Sequence, residues 1–157
     1  MHSNKLLNLL AANRRRGEFQ ALAADGSAES PGNVIYLYDA IVSSKAEAEW
    51  FGGVDAETFV QALRGMTGDV ALRINCPGGD VFAARAMAQA IRDYPGTVTA
   101  HVDGYAASAA SFLTSVADRT VMAEGAMLMI HKAWTMAWGN ADDLTATASL
   151  LAKIDQT

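Results

Sequence analysis

The sequence holds one cysteine, Cys76, and three prolines in 157 residues. A single thiol excludes an internal disulfide framework and a zinc site built from several cysteines, and it fits a reducing compartment. No run of 18 apolar residues occurs, so neither a transmembrane helix nor a membrane partner is expected. Positive charge is scarce, with 12 Lys plus Arg against 17 Asp plus Glu and a net charge of −5. A phosphate binder usually carries a basic surplus, so nucleic acid is not an expected partner. Charge of both signs is thin at 18%, against 51% hydrophobic residues. A disordered chain shows the opposite balance. The length suits one domain, and neither a fixed-period repeat nor a low-complexity tract interrupts it.

What is present begins with alanine, 31 residues of it, which favours tightly packed helices and close backbone approaches. Residues 1–32 read as a loosely ordered leader. Its apolar run Leu6–Ala12 precedes Arg14-Arg15-Arg16, the wrong order for an export signal. The arginines read as a solvated patch, and Gly26, Ser27, Ser30, Pro31 and Gly32 mark a linker. Residues 33–157 read as the folded domain.

Strands and helices alternate through that domain. Val34–Tyr38, Val70–Ile74, Thr97–Val102, Thr120–Met122 and Met127–Ile130 have strand character. Asp55 is placed to cap a helix carrying Phe59, Leu63 and Met66 at helical spacing. A second helix is expected over Val81–Asp93, with Ala84, Met87, Ala88 and Ile91 on one face. Asp103-Gly104-Tyr105 reads as a turn, and Ser108–Val116 as a small-residue helix. Asn140 caps a last helix with Leu144, Ala148 and Leu151 inward. The class is α/β, with helices crossing between strands.

Chemistry-bearing residues gather at strand ends, where α/β folds collect binding groups. Pro77-Gly78-Gly79 follows a strand; paired glycines permit positive φ and can present bare N–H groups to an anion. No Gly-Lys-Ser/Thr follows, so this is not a Walker loop; a plain strand-to-helix turn is the alternative. In Gly104-Tyr105-Ala106-Ala107-Ser108-Ala109-Ala110-Ser111, Ser108 opens a helix where N–H groups lack partners. It is a nucleophile candidate or an ordinary N-cap, and it is not the Gly-x-Ser-x-Gly elbow. His131 ends an apolar strand and can act as a general base near neutral pH, or it is structural. His101 lies inside a strand pattern and is assigned no chemistry. Together the three segments offer a nucleophile, a base and oxyanion donors. Cys76 reads as a small buried side chain, and the Trp50-Phe51 and Trp134–Trp138 clusters as packing or subunit contact. No cofactor and no metal is expected.

Arg73–Asp80, Gly104–Ser108 and Met129-Ile130-His131, in this order and spacing, resemble the motifs of the ClpP-type serine peptidases. Within that family the sequence is most similar to the ClpP-like head maturation (prohead) proteases of tailed phages and prophages. Trp138–Leu144 resembles that branch too, and the likeness runs from about Val34 to the end. The resemblance implies a crotonase-like spiral of ββα units. It implies Ser108 as nucleophile, His131 as base, and the N–H groups of Gly79 and Ala109 as the oxyanion hole. It implies that Gly78, Asp80 and Val81 hold an extended peptide by strand addition. It further implies a protein substrate such as capsid or scaffold protein, a homo-oligomeric ring (a heptamer or double ring), and the host cytoplasm or prohead as location. The family's triad aspartate lies some tens of residues beyond the histidine. Asp142, Asp143 and Asp155 do not match that position, so the resemblance predicts a domain incomplete at its C-terminus.

Three other readings carry different expectations. A Ser–Lys dyad would use Lys132, which strand alternation would turn away from Ser108. A crotonase-type acyl-CoA enzyme would need acidic catalytic residues. A ring-forming structural subunit would have an inert or impaired site.

Overall fold

The computed structural model describes residues 19–22 and 32–156. Strand β1 (Gln20–Leu22) lies antiparallel on β2 (Asn33–Leu37). A short pair, β3 (Ile41–Val42) and β4 (Val54–Asp55), encloses helix α1 (Lys45–Phe51). Helix α2 (Ala56–Arg64), strand β5 (Val70–Cys76) and helix α3 (Val81–Arg92) follow. Strand β6 (Val98–Ala107) runs into a 3-10 turn at Ser108–Ala110 and helix α4 (Ser111–Val116). Strands β7 (Arg119–Met122) and β8 (Met127–Met129) precede the last helix, α5 (Ala141–Ile154).

The main sheet has the order β1-β2-β5-β6-β7, with β8 continuing beside β6. All its pairings except β1–β2 are parallel. Alternation in β5 decides which face is covered. Val70, Leu72, Ile74 and Cys76 are buried, while Ala71, Arg73 and Asn75 are half-buried. The buried set joins Phe59 and Leu63 of α2, Met87 and Ile91 of α3 and Leu113 of α4 in one core. Each large side chain there contributes about 1.5–3 kcal/mol relative to exposure. On the other face Arg73 pairs with Asp103, whose carboxylate also accepts the Tyr38 hydroxyl at 2.6 Å.

The helix caps follow local chemistry. The Asp55 carboxylate accepts the Thr58 N–H, and Asp80 does the same for Ala83. Asn140 and Asp143 form a reciprocal capping box.

Several expectations need correction. Gln20–Leu22, assigned to a loose leader over residues 1–32, pair with Tyr36, Ile35 and Val34. Phe19 and Ala21 pack against the core, the Phe19 ring 6.5 Å from that of Phe59. This strand is too short and too poor in β-branched residues to stand out. Arg14–Arg16 and residues 26–31 of the linker lie outside the described residues. Asp103-Gly104-Tyr105 is not a turn: β6 runs through it to Ala107. Between the pairs Ile74↔Val102 and Cys76↔Ala106 the register shifts, so β6 carries a bulge there. A Cβ on Gly104 would meet Asn75 Oδ1 at 2.5 Å, so a larger residue there would have to displace the Asn75 side chain. Helix α5 turns Thr147, Leu151 and Ile154 inward, but only to half-burial, and of the expected inner residues Leu144 and Ala148 are exposed. Met127–Ile130 is likewise exposed; its apolar run reflects a surface without cover among the described residues.

Candidate active site

Register places the three chemistry-bearing segments at one end of adjacent strands. Cys76 of β5 pairs with Ala106 of β6, and Met129 of β8 pairs with Ala107 of β6. The next residues along the three chains are Pro77-Gly78-Gly79, Ser108 and Ile130-His131. Neighbouring strands lie about 4.8 Å apart, so Ser108 leaves the sheet between the glycine turn and the histidine.

Ser108 is the one described non-glycine residue with positive φ, at 53°. A left-handed residue of this kind costs on the order of 1 kcal/mol and persists only where its surroundings enforce it. Here the Ser111 hydroxyl donates to the Ser108 carbonyl at 2.6 Å. Gly78 presses on the same turn: an added Cβ would come within 2.5 Å of the Ala107 carbonyl oxygen and 2.9 Å of the Ala109 nitrogen. Ala109 N–H belongs to the first turn of the 3-10 segment, where no preceding turn supplies a carbonyl. Because α4 has six residues, these local N–H groups, rather than a long helix dipole, would receive negative charge.

The second glycine is held from the other side. Ile41 N–H donates to the Gly78 carbonyl at 2.8 Å, and Asp80 N–H donates to the Ile41 carbonyl at 2.9 Å. This parallel bridge uses the groups flanking Gly79 and directs the Gly79 N–H away from Ile41. Gly79 has φ 140°, and a Cβ there would strike the Ile41 carbonyl oxygen. Cys76 braces the turn from beneath. Its sulfur accepts the Gly78 N–H at 3.4 Å, and burial pushes the thiol up to about 12.

Ser108, Ala109, Val81, His131 and Lys132 line one cleft of about 450 Å³. Ser108 is half-buried and His131 exposed. Among the described residues no hydrogen bond joins the Ser108 hydroxyl to the imidazole; such contacts often tighten only around a substrate. Lys132 shares the cleft because β8 ends at Met129, so strand alternation does not turn it away. The segment from Asp80 onward is not an extended edge. The Asp80 carboxylate and N–H are engaged by Ala83 and Ile41, and helix α3 starts at Val81. A second hollow of about 580 Å³, lined by Ile41, Gly79, Val81 and Trp134, adjoins the first.

A model of the Clp protease family matches residues 54–157. The chain belongs to that family. It is 25% identical over 118 residues to the ATP-dependent Clp protease proteolytic subunit of Deinococcus radiodurans, covering 74% of this chain and 58% of that protein. It is 34% identical over 76 residues to an uncharacterised protein of Methanocaldococcus jannaschii, covering 47% of this chain and 27% of the other. The chain therefore spans less than two thirds of either relative. Among solved structures, a point mutant of ClpP1 from Listeria monocytogenes matches with a TM-score of 0.60 at 18% identity, over 78% of this chain and 65% of that one. The fold is the ClpP-like α/β fold.

Two features of this cleft leave no mark in the residue pattern. The strained φ of Ser108 has no signal in residue type. The arrival of Asp155 at the cleft depends on where α5 ends in space. The adjacency of Gly78 and Ser108, by contrast, was implied by two glycines and a serine at successive strand ends.

Proposed function

We propose that this chain is a serine endopeptidase that works through an acyl-enzyme. The observation that carries the reading is the convergence of Gly78-Gly79, Ser108 and His131 at the ends of β5, β6 and β8, with Ser108 held at φ 53°. His131 accepts the Ser108 hydroxyl proton as the serine oxygen attacks the scissile carbonyl. The carbonyl oxygen becomes an oxyanion and is held by the N–H groups of Gly79 and Ala109. Such donors are each worth about 3–4 kcal/mol in the transition state. The imidazolium then returns its proton to the leaving amine, and the C–N bond breaks. Water, deprotonated by His131, releases the acyl group and restores the serine. Val81 and the hollow beside Gly79 receive the peptide.

The biological setting we propose is phage head maturation, with capsid or scaffold protein as substrate, acting in the host cytoplasm or prohead. Support comes from the likeness of the three motifs and of Trp138–Leu144 to the prohead branch. Ring assembly fits the apolar surface of this chain: Ile130, Trp134, Met136 and Trp138 are 75%, 72%, 77% and 86% exposed. Among the described residues no helix is long and apolar enough to cross a membrane.

A second reading, a ring subunit with impaired chemistry, is favoured by one observation. No hydrogen bond ties His131 to Ser108 or to a carboxylate among the described residues, and an unsupported imidazole is a poor base. A fluorophosphonate probe separates the two. The peptidase is labelled at Ser108, and Ser108→Ala and His131→Ala abolish labelling. Labelling that survives His131→Ala but not Lys132→Ala would point to a Ser–Lys dyad. A folded chain that resists the probe altogether is the impaired subunit.

A further inference from the structure

From His131 to Gly139 the chain forms neither helix nor strand, yet it must present the imidazole at the cleft. Among the described residues one hydrogen bond ties this stretch to a distant part of the chain. Ala133 N–H donates to Asp155 Oδ1 at 2.8 Å, across 22 residues. The end of α5 that delivers Asp155 is itself fastened. The Arg85 guanidinium of α3 donates to the Ile154 carbonyl at 3.3 Å and lies 6.0 Å from the centroid of the Phe112 ring. Phe112, Ile154 and Asp155 line the cleft that holds Ser108 and His131. Asp155 thus stands where α3, α4, α5 and the histidine segment meet.

We propose that Asp155 is a positioning residue. It holds the His131 segment at the mouth of the cleft by accepting the Ala133 N–H, two residues beyond the imidazole. It does not touch the reacting atoms. This rests on the reading of Ser108 and His131 as nucleophile and base. A carboxylate accepting a backbone N–H forms a charge-assisted bond, stronger and shorter than a neutral one. Its loss frees an exposed segment to sample many conformers, few of which aim the imidazole at Ser108.

The test compares Asp155→Ala with Asp155→Asn in the full chain, because asparagine keeps an oxygen at the same place. One readout is the rate of fluorophosphonate labelling at Ser108; the other is hydrogen exchange at the Ala133 amide, which needs no catalysis. Asp155→Ala is expected to slow labelling about tenfold, the worth of one hydrogen bond to a charged group, and to abolish protection at Ala133. Asp155→Asn keeps an acceptor without the charge, so partial protection and an intermediate rate are expected. A loss in Asp155→Asn as complete as in Asp155→Ala would overturn the proposal, because the retained acceptor oxygen would then hold nothing. Labelling at the wild-type rate in Asp155→Ala would overturn it as well. If even the wild type takes no label, the peptidase reading fails on its own, and Ala133 exchange unchanged in Asp155→Ala then removes the positioning role too.

Discussion

Gly78 stands so close to Ser108 that a Cβ added to it would lie 2.7 Å from the serine Cβ. The glycine turn and the serine turn are therefore one packed unit, although 30 residues separate them in sequence. Each limits the conformations open to the other, and the first prediction follows from that contact.

Gly78→Ala meets both a positive φ of 91° and this collision. The expected outcome is a destabilisation of about 1–3 kcal/mol together with loss of Ser108 labelling. Gly125→Ala is the control. Its φ is 78°, but nothing lies within 4 Å of the added Cβ, so it should cost about 1 kcal/mol and leave labelling intact. Urea unfolding and probe labelling on both variants check this, and full labelling of Gly78→Ala would break the link between the two turns.

Ser108→Gly should fold more stably than Ser108→Ala by about 1 kcal/mol, because glycine adopts a φ of 53° without a Cβ penalty. Neither variant can be labelled. The serine would then be a residue whose local strain is tolerated for its chemistry, a known exchange of stability for activity. Equal stability of the two variants in thermal melts would show that the strain is absent in solution.

Cys76 predicts a pH effect whose sign is fixed by burial. The folded thiol is raised from 9.0 to about 12, so it keeps its proton where the unfolded thiol has lost it. The stability this contributes is complete below about pH 9 and fades as pH rises towards 12, since the unfolded chain then binds fewer protons. Relative to Cys76→Ala, the wild type should therefore lose part of its advantage between about pH 8 and pH 10. Denaturant titrations at the two pH values measure it. The native thiol should also resist a maleimide until the chain unfolds; rapid modification of the folded protein would contradict the buried placement.

The exposed apolar residues predict self-association. Met136→Glu with Trp138→Glu removes side chains that are 77% and 86% exposed, so folding stability should hardly change. The assembled mass in light scattering should fall if this surface joins subunits. An unchanged mass would move the subunit contact elsewhere on the chain.

Local physics made much of this protein legible in its sequence. Alternating Val70, Leu72 and Ile74, the helical spacing of Phe59 and Leu63, and the carboxylates of Asp55 and Asp80 each answer to neighbours within a few residues. They determined where strands and helices lie and which side faces the core. Strand ends follow from the same patterns, so Gly78-Gly79, Ser108 and His131 stand out from residue type and position alone. What residue patterns left undecided depends on contacts between distant segments. The three-residue strand Gln20–Leu22 exists because β2 offers it an edge. The bulge near Gly104 shows only in the pairing of β6 with β5, where Asn75 lies over the glycine. Ser108 takes its left-handed φ beside a Gly78 whose lack of a side chain leaves room for it, and Asp155 lines the cleft where the Arg85 guanidinium holds the end of α5. Short-range propensity sets an element's type, but only tertiary packing sets its register, its strain and its neighbours, and the chemistry of the site resides in those.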